Sequence, residues 1–200
     1  MSIKREDILK LLSVSSKRYI HILGTEKAAI ELARIHHPNL DLYSVSTAAL
    51  LHDLTKEYTF EEHLTVAERY NVVLEEKYIS VPKLLHANTA SLICRYELKL
   101  SDEICDAVFY HTTGKPCMSA LEEIIYFADY IEENRTDDEC VSLRNSYFEL
   151  LEKHEPRLAL DKALVLSFNR TINNLLRKDQ IIDHNIIDAR NYYLNKSLNV

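Results

Sequence analysis

Ser119-Ala120-Leu121-Glu122-Glu123-Ile124-Ile125-Tyr126-Phe127-Ala128-Asp129-Tyr130-Ile131-Glu132 is the stretch that decides the fold. Ser119 and Glu122 stand at the spacing of a capping box, in which each side chain satisfies the other's backbone N–H at a helix start. Leu121, Ile124, Ile125 and Ala128 then recur at i, i+3, i+4 and i+7, the period of one buried helical face. Asp129 falls at i+8, on the same stripe. A carboxylate on an apolar face needs a cation to compensate it, so this residue points to a metal or an internal ion pair.

The same helical grammar extends in both directions. Only two glycines and four prolines occur, with no tryptophan, which predicts helices joined by short polar turns. Ser15-Ser16 caps a helix that carries His21 and is stopped by Pro38, and Ser44 starts the next apolar segment, ending near His52-Asp53. Thr59 and Glu62 form a second capping box, Pro82 suits a helix's first turn, and Asp102 caps a helix that ends at His111. Thr136-Asp137-Asp138-Glu139 caps another. Residues 1–200 are expected to form a single all-α domain, with the helices after about residue 140 as scaffold and the acidic stretch from Glu132-Glu133 to Glu139 as a solvated connection.

Net charge is −7, from 31 acidic and 24 basic residues, and no lysine- or arginine-rich run is present. That excludes the broad basic footprint of a duplex nucleic-acid binder, and any anionic ligand must be held by a few placed cations. The N-terminus is polar and no apolar run reaches bilayer length, so a soluble cytoplasmic protein is expected, with no membrane partner. Cys94, Cys105, Cys117 and Cys140 include no Cys-x-x-Cys pair, which argues against a thiolate zinc site or a redox dithiol. Cys117 is read as structural.

His21, His52-Asp53, His86, His111 and Asp129 follow one another in helix-like apolar contexts. Imidazole and carboxylate donors together favour iron, manganese, zinc or nickel, whereas an all-oxygen set would suggest magnesium or calcium. Neighbouring residues on a helix diverge by about 100°, so His52 and Asp53 can converge only where the backbone becomes irregular.

Arg18-Tyr19-Ile20-His21, Leu50-Leu51-His52-Asp53 with Lys56-Glu57, Leu84-Leu85-His86, Tyr110-His111-Thr112-Thr113-Gly114 and the run from Ile124 to Glu132 together resemble the HD-domain superfamily of metal phosphohydrolases. Within it the similarity is to the bacterial symmetrical diadenosine tetraphosphatase family, over roughly residues 15 to 135. The departures are Thr25, Ala87 and Glu133, where that family's pattern has valine, glycine and proline.

The resemblance implies a compact HD-type helical bundle and a dinuclear centre holding iron, with manganese or zinc as substitutes. It implies His21, His52, Asp53, His86, His111 and Asp129 as ligands, with Asp53 and Lys56 in catalysis. Arg18, Thr113, Lys115 and Arg135 would contact substrate. It further implies cleavage of diadenosine tetraphosphate into two ADP by a metal-activated water.

Other readings stay open on sequence. The metal skeleton equally serves a phosphohydrolase of a deoxynucleoside triphosphate, guanosine alarmone or cyclic nucleotide, and a non-catalytic nucleotide-binding module keeps the same fold. A homodimer is neither required nor excluded. Lys56 has the plainer reading of an exposed lysine after a helix, and His36, His37, His63, His154 and His184, in polar contexts, are expected at the surface.

Overall fold

The structure, a computed structural model, describes residues 3–75, 79 and 81–198. Among these there are ten α-helices and no strand: α1 (Arg5–Leu11), α2 (Ser16–His36), α3 (Leu42–Leu51), α4 (Phe60–Arg69), α5 (Leu85–Leu92), α6 (Asp102–Tyr110), α7 (Ala120–Ile131), α8 (Asp138–Lys153), α9 (Pro156–Arg177) and α10 (His184–Leu198). None is long and apolar enough to cross a membrane.

The helices start where capping chemistry dictates. Both expected boxes form: the Ser119 and Thr59 hydroxyls accept from the backbone of Glu122 and Glu62, whose carboxylates accept from the cap N–H. Ser15 caps α2. Three starts differ by a few residues. Asp41 rather than Ser44 caps α3, taking the N–H groups of Tyr43 and Ser44, because a carboxylate reaches two orphan donors at once. Ser101 occupies the cap of α6, leaving Asp102 as its first residue, and Asp137 rather than Thr136 caps α8. Pro82 opens a 3-10 turn, Pro82–Leu84, that leads into α5, and α5 widens into a π-turn over Ile93–Glu97 where Leu98 N–H reaches Ile93 O at 3.0 Å.

Helices α2, α3 and α7 pack on one another, α6 lies against α3, α5 and α7, and α9 covers α8 and α10. Leu50, Leu51, Ile124, Ile125, Phe127 and Phe168 are fully buried between these layers. Two expectations are overturned. His63 is buried, bonded to Thr89 Oγ1 at 2.8 Å, and His36 is half-buried against the Tyr147 hydroxyl at 2.7 Å, because amphipathic helices place their polar-looking histidines along the core margin. Cys117 is exposed, on a backbone of φ 53°.

The C-terminal helices are tied to α7 by charge as well as packing. Glu123, 3% exposed, takes both guanidinium nitrogens of Arg157 at 2.6 and 2.9 Å and the Tyr193 hydroxyl at 2.7 Å. His37 Nε2 lies 3.2 Å away, and Arg157 also meets the fully buried Asp161. Burial alone would raise the Glu123 pKa, yet His37, Arg157 and Tyr193 outweigh it and hold the group at about 2.

A folded-state pKa below the ordinary carboxylate value near 4.3 gives stability that is present above that value and lost as pH falls through about 2. Urea titration of Glu123→Gln should show about 2 kcal/mol less stability at pH 7, the buried-pair cost reduced by the partial exposure of Arg157. The acid limb between about pH 4.3 and 2 should also be shallower than in the parent. An unchanged limb would mean that another carboxylate governs acid unfolding.

Candidate metal centre

Five elements deliver the six expected donors to one place. Residues three apart on α2 put Arg18 and His21 on one face. His52 is the C-cap of α3, and successive turns follow it, with Leu54 N–H on Leu51 O and Lys56 N–H on Asp53 O. This break in the helix lets His52 and Asp53 point the same way. His86 comes from α5, His111 from the C-cap of α6, and Asp129 from the last turn of α7.

Asp53 is the hub. Its Oδ2 lies 3.4 Å from His52 Nε2 and 3.5 Å from His21 Nε2, while Oδ1 lies 3.2 Å from His86 Nε2 and 3.7 Å from His111 Nε2. Asp129 Oδ1 sits 3.0 Å from His21 Nε2 and 3.8 Å from His52 Nε2. Among the described residues three groups could hold a metal: His21, His52 and Asp53; Asp53, His86 and His111; and His52, His111 and Asp129, with Asp53 shared by the first two.

The tautomers follow from the outer nitrogens. Nδ1–H of His52, His86 and His111 donates to the carbonyl three residues back, Ala49 O at 2.7 Å, Lys83 O at 2.7 Å and Val108 O at 2.6 Å. Each ring therefore turns Nε2 inward. His86 and His111 oppose their Nε2 atoms at 3.1 Å, and His52 and His21 at 3.3 Å. Two lone pairs at that distance repel unless something positive lies between them. Donors about 2.1 Å from a common ion and at right angles to each other are separated by about 3.0 Å, so the spacing suits cis ligands of one cation. Asp53 Oδ1, buried, finds no hydrogen-bond donor among the described residues. These residues fit a divalent metal.

Titration behaviour agrees. Burial holds His86 down at about 3 against the pull of Asp53, and holds His111 below its ordinary value, so both keep a free lone pair. His21 goes the other way: burial would lower it, but Asp129, Asp53 and Glu132 push it up to about 10, the mark of a spot that draws positive charge. Burial also works to raise Asp53 and Asp129, yet the histidines on the first and Arg135 with His21 on the second hold both well below the usual range.

The expected substrate contacts divide. Arg18 Nη1 pairs with Asp53 Oδ2 at 2.5 Å, and Arg135 Nη2 pairs with Asp129 Oδ1 at 2.6 Å. Lys56 Nζ lies 3.0 Å from His86 Nε2 and 3.6 Å from Asp53 Oδ1. Lys56, His86, Asp129 and Arg135 line a cavity of about 650 Å³. Thr113 and Lys115 do not line it, because the Thr113 hydroxyl donates to Gly114 O and Lys115 Nζ is held by Glu122 at 2.8 Å over the Tyr110 ring. Thr112 lines it instead. Gly114 shapes this turn at φ 61°, where a Cβ would stand 2.8 Å from Phe168 Cζ.

Two features escaped the sequence reading. Glu132 is not part of a solvated connection: it is 1% exposed, and its Oε1 lies 3.1 Å from His21 Nδ1. Burial would raise its pKa, but His21 and Asn134 bring it below the ordinary value. Its spacing of three from Asp129, which puts both on one helical side, was the available signal. The C-terminal helices are not scaffold alone, since Thr171, Asn174 and Leu175 of α9, with Gln180, Ile181 and Asp183 beyond it, form the cavity's far wall.

Residues 18–134 match the HD domain family. The chain is similar to the symmetrical bis(5'-nucleosyl)-tetraphosphatase of Staphylococcus aureus, at 30% identity covering 96% of this chain and 95% of that one. It is similar to the protein of the same name from Bacillus subtilis, at 34% identity covering 88% and 90%. Among solved structures it resembles an HD superfamily hydrolase described as involved in NAD metabolism, from Clostridium acetobutylicum. The TM-score is 0.84 at 31% identity, covering 98% of this chain and 100% of that one.

Asp53→Asn removes the carboxylate that belongs to two of the three potential metal-holding groups among the described residues. Equilibrium dialysis with elemental analysis should show at least about a 100-fold loss of affinity for iron(II) or manganese(II), with the melting temperature within a few degrees of the parent. Parent-like uptake would sink the assignment of Asp53 as hub.

Proposed function

This chain belongs to the HD-domain metal-dependent phosphohydrolases and, within them, to the family of the bacterial symmetrical bis(5'-nucleosyl)-tetraphosphatases, and on that premise we propose that it hydrolyses diadenosine tetraphosphate at its middle to two ADP. The observation that carries the reading is the convergence of six donor residues, two of which, His86 and Asp129, line a cavity of about 650 Å³. That volume falls within the range, roughly 300 to 1,000 Å³, of small-molecule sites. The proposed ligands are His21, His52, Asp53 and Asp129 on one side and His86, His111 and Asp53 on the other. Iron is the proposed metal, with manganese or zinc as substitutes, because imidazole and carboxylate donors without thiolate suit these ions.

A divalent pair bound there would acidify a water and offset charge growing on phosphoryl oxygens. The remaining work falls to the chain's own groups. Asp53 fixes the spacing of the two halves by giving one oxygen to each. Arg18 and Arg135 clamp Asp53 and Asp129, so both carboxylates keep their aim when a polyanion enters. Lys56, one-third exposed on a flexible stem, can leave His86 for a phosphate oxygen. The bond between the central bridging oxygen and one inner phosphorus breaks, the oxygen of water takes its place, and both halves depart as ADP. Cytoplasm is the compartment we infer, where Cys94, Cys105, Cys117 and Cys140, all unpaired, stay reduced.

Mass-spectrometric product analysis with diadenosine tetraphosphate, under iron, manganese and zinc in parallel, should yield two ADP and no ATP or AMP. Chelation should stop turnover and the returned metal should restore it. Lys56→Met should lower kcat about 100-fold, the scale of one lost electrostatic contact, while cation uptake stays at the parent level. ATP plus AMP, or faster release of tripolyphosphate from a deoxynucleoside triphosphate, would overturn the substrate.

A further inference from the structure

Four imidazoles face the centre, and three have their outer nitrogen held in the cheapest way a helix offers. His52 and His111 are the C-caps of α3 and α6, where carbonyls are left over, and His86 stands in the first turn of α5; in each, Nδ1–H donates to the carbonyl three residues back. His21 has no such recourse. It lies within α2, whose carbonyls are engaged in the helical ladder, so its Nδ1 must find a partner from elsewhere.

Glu132 provides it. Its backbone is the C-cap of α7, its Oε1 lies 3.1 Å from His21 Nδ1, and its Oε2 accepts from Asn134 backbone N–H at 2.7 Å and Nδ2 at 2.9 Å. Every oxygen of this buried carboxylate is thus committed. The slot it occupies exists because residue 24, one turn beyond His21, is glycine. A Cβ there would stand 2.1 Å from Glu132 Oε2 and 2.5 Å from Asn134 Nδ2. Glycine inside a helix is unfavourable relative to alanine, so something must offset its presence in the middle of α2. The close approach of the carboxylate is that reason.

We propose that Glu132 is the positioning residue for His21, fixing the ring with Nε2 toward Asp129 and Asp53 and making it a stronger donor, and that Gly24 is glycine to admit the Glu132 carboxylate. The proposal rests on the metal-centre reading above. It also makes the two halves of the centre unequal. The half with His21 has a carboxylate behind an imidazole, whereas His86 and His111 have only carbonyls behind them. A carboxylate behind a metal-binding imidazole raises its basicity, and loss of such a partner typically weakens metal binding 10- to 100-fold.

The test is titration of the metal-free protein with manganese(II), by calorimetry, on the parent, Glu132→Gln, Glu132→Asp and Gly24→Ala. The parent should show a tighter and a weaker class of site. Glu132→Gln should weaken the tighter class about 10- to 100-fold and leave the weaker class alone, and Glu132→Asp should restore part of the loss. Gly24→Ala separates positioning from stability: it improves helix propensity and the atoms in its way are side-chain ends, so its melting temperature should hold or rise while its tighter class weakens. If Glu132→Gln fails to fold, Gly24→Ala decides. Parent-like affinity in these variants, with the parent binding two ions, overturns the role of Glu132 and leaves the metal centre standing. No manganese uptake by the parent overturns both.

Discussion

Bare imidazole nitrogens and ionised carboxylates cannot share a buried volume unless positive charge lies among them, and the rest of this structure is arranged around that constraint. Asp53 and Asp129 are set against Arg18, Lys56 and Arg135, and Glu132 against His21, so the charges of the site roughly cancel. His86 and His111, kept neutral by burial, add lone pairs and no charge. Any divalent cation held there would therefore tip the pocket positive. This resolves the tension between a net charge of −7 and the polyphosphate proposed as substrate: the global field repels such a ligand, but at the pocket wall the near charges dominate, since fields from exposed groups are screened within about 8–10 Å.

Helix ends are what make such a cluster foldable. Each helix leaves carbonyls unsatisfied at its C-terminus, and a histidine one turn later can donate to one of them. At His52 and His111 that single bond satisfies an orphan acceptor, selects the tautomer and aims Nε2 inward. His52 and His111 are thus oriented by bonds within their own elements. His21 is the exception, and its partner arrives from a segment 111 residues away.

That contrast explains how much could be read from sequence. Asp129 on an apolar stripe, the capping boxes at Ser119 and Thr59, and the adjacency of His52 and Asp53 at a helix end are all local, and local periodicity exposes them. Glu132 looked solvated because the residues after it are acidic and polar, and only the fold reveals that it turns back toward α2. That Thr112 and not Thr113 lines the cavity depends on a turn whose shape Gly114 and Phe168 set together, a contact across 54 positions of sequence. The burial of His63 depended likewise on Thr89, 26 residues on. Long-range pairing is invisible to spacing arguments, whereas what is decided within one helical turn is open to them, though the exact cap can shift by a residue or a few, as at Asp41, Ser101 and Asp137.

The cavity's far wall belongs to this second kind. The donors lie between residues 21 and 129, inside the span that matches the HD domain, but Thr171, Asn174, Gln180 and Asp183 lie beyond it. Chemistry and shape are therefore supplied by different parts of the chain. They are not independent: Phe168, one turn before Thr171 on α9, sits against Gly114 in the turn that follows His111, and Arg157 on the same helix is clamped to Glu123 of α7, two turns before Asp129. Through these contacts α9 ties the far wall to the segments that carry His111 and Asp129. A nucleotide long enough to span the cavity would be measured between the metal side and that wall, so selectivity among phosphate esters would follow from the seating of α9 more than from the donors themselves.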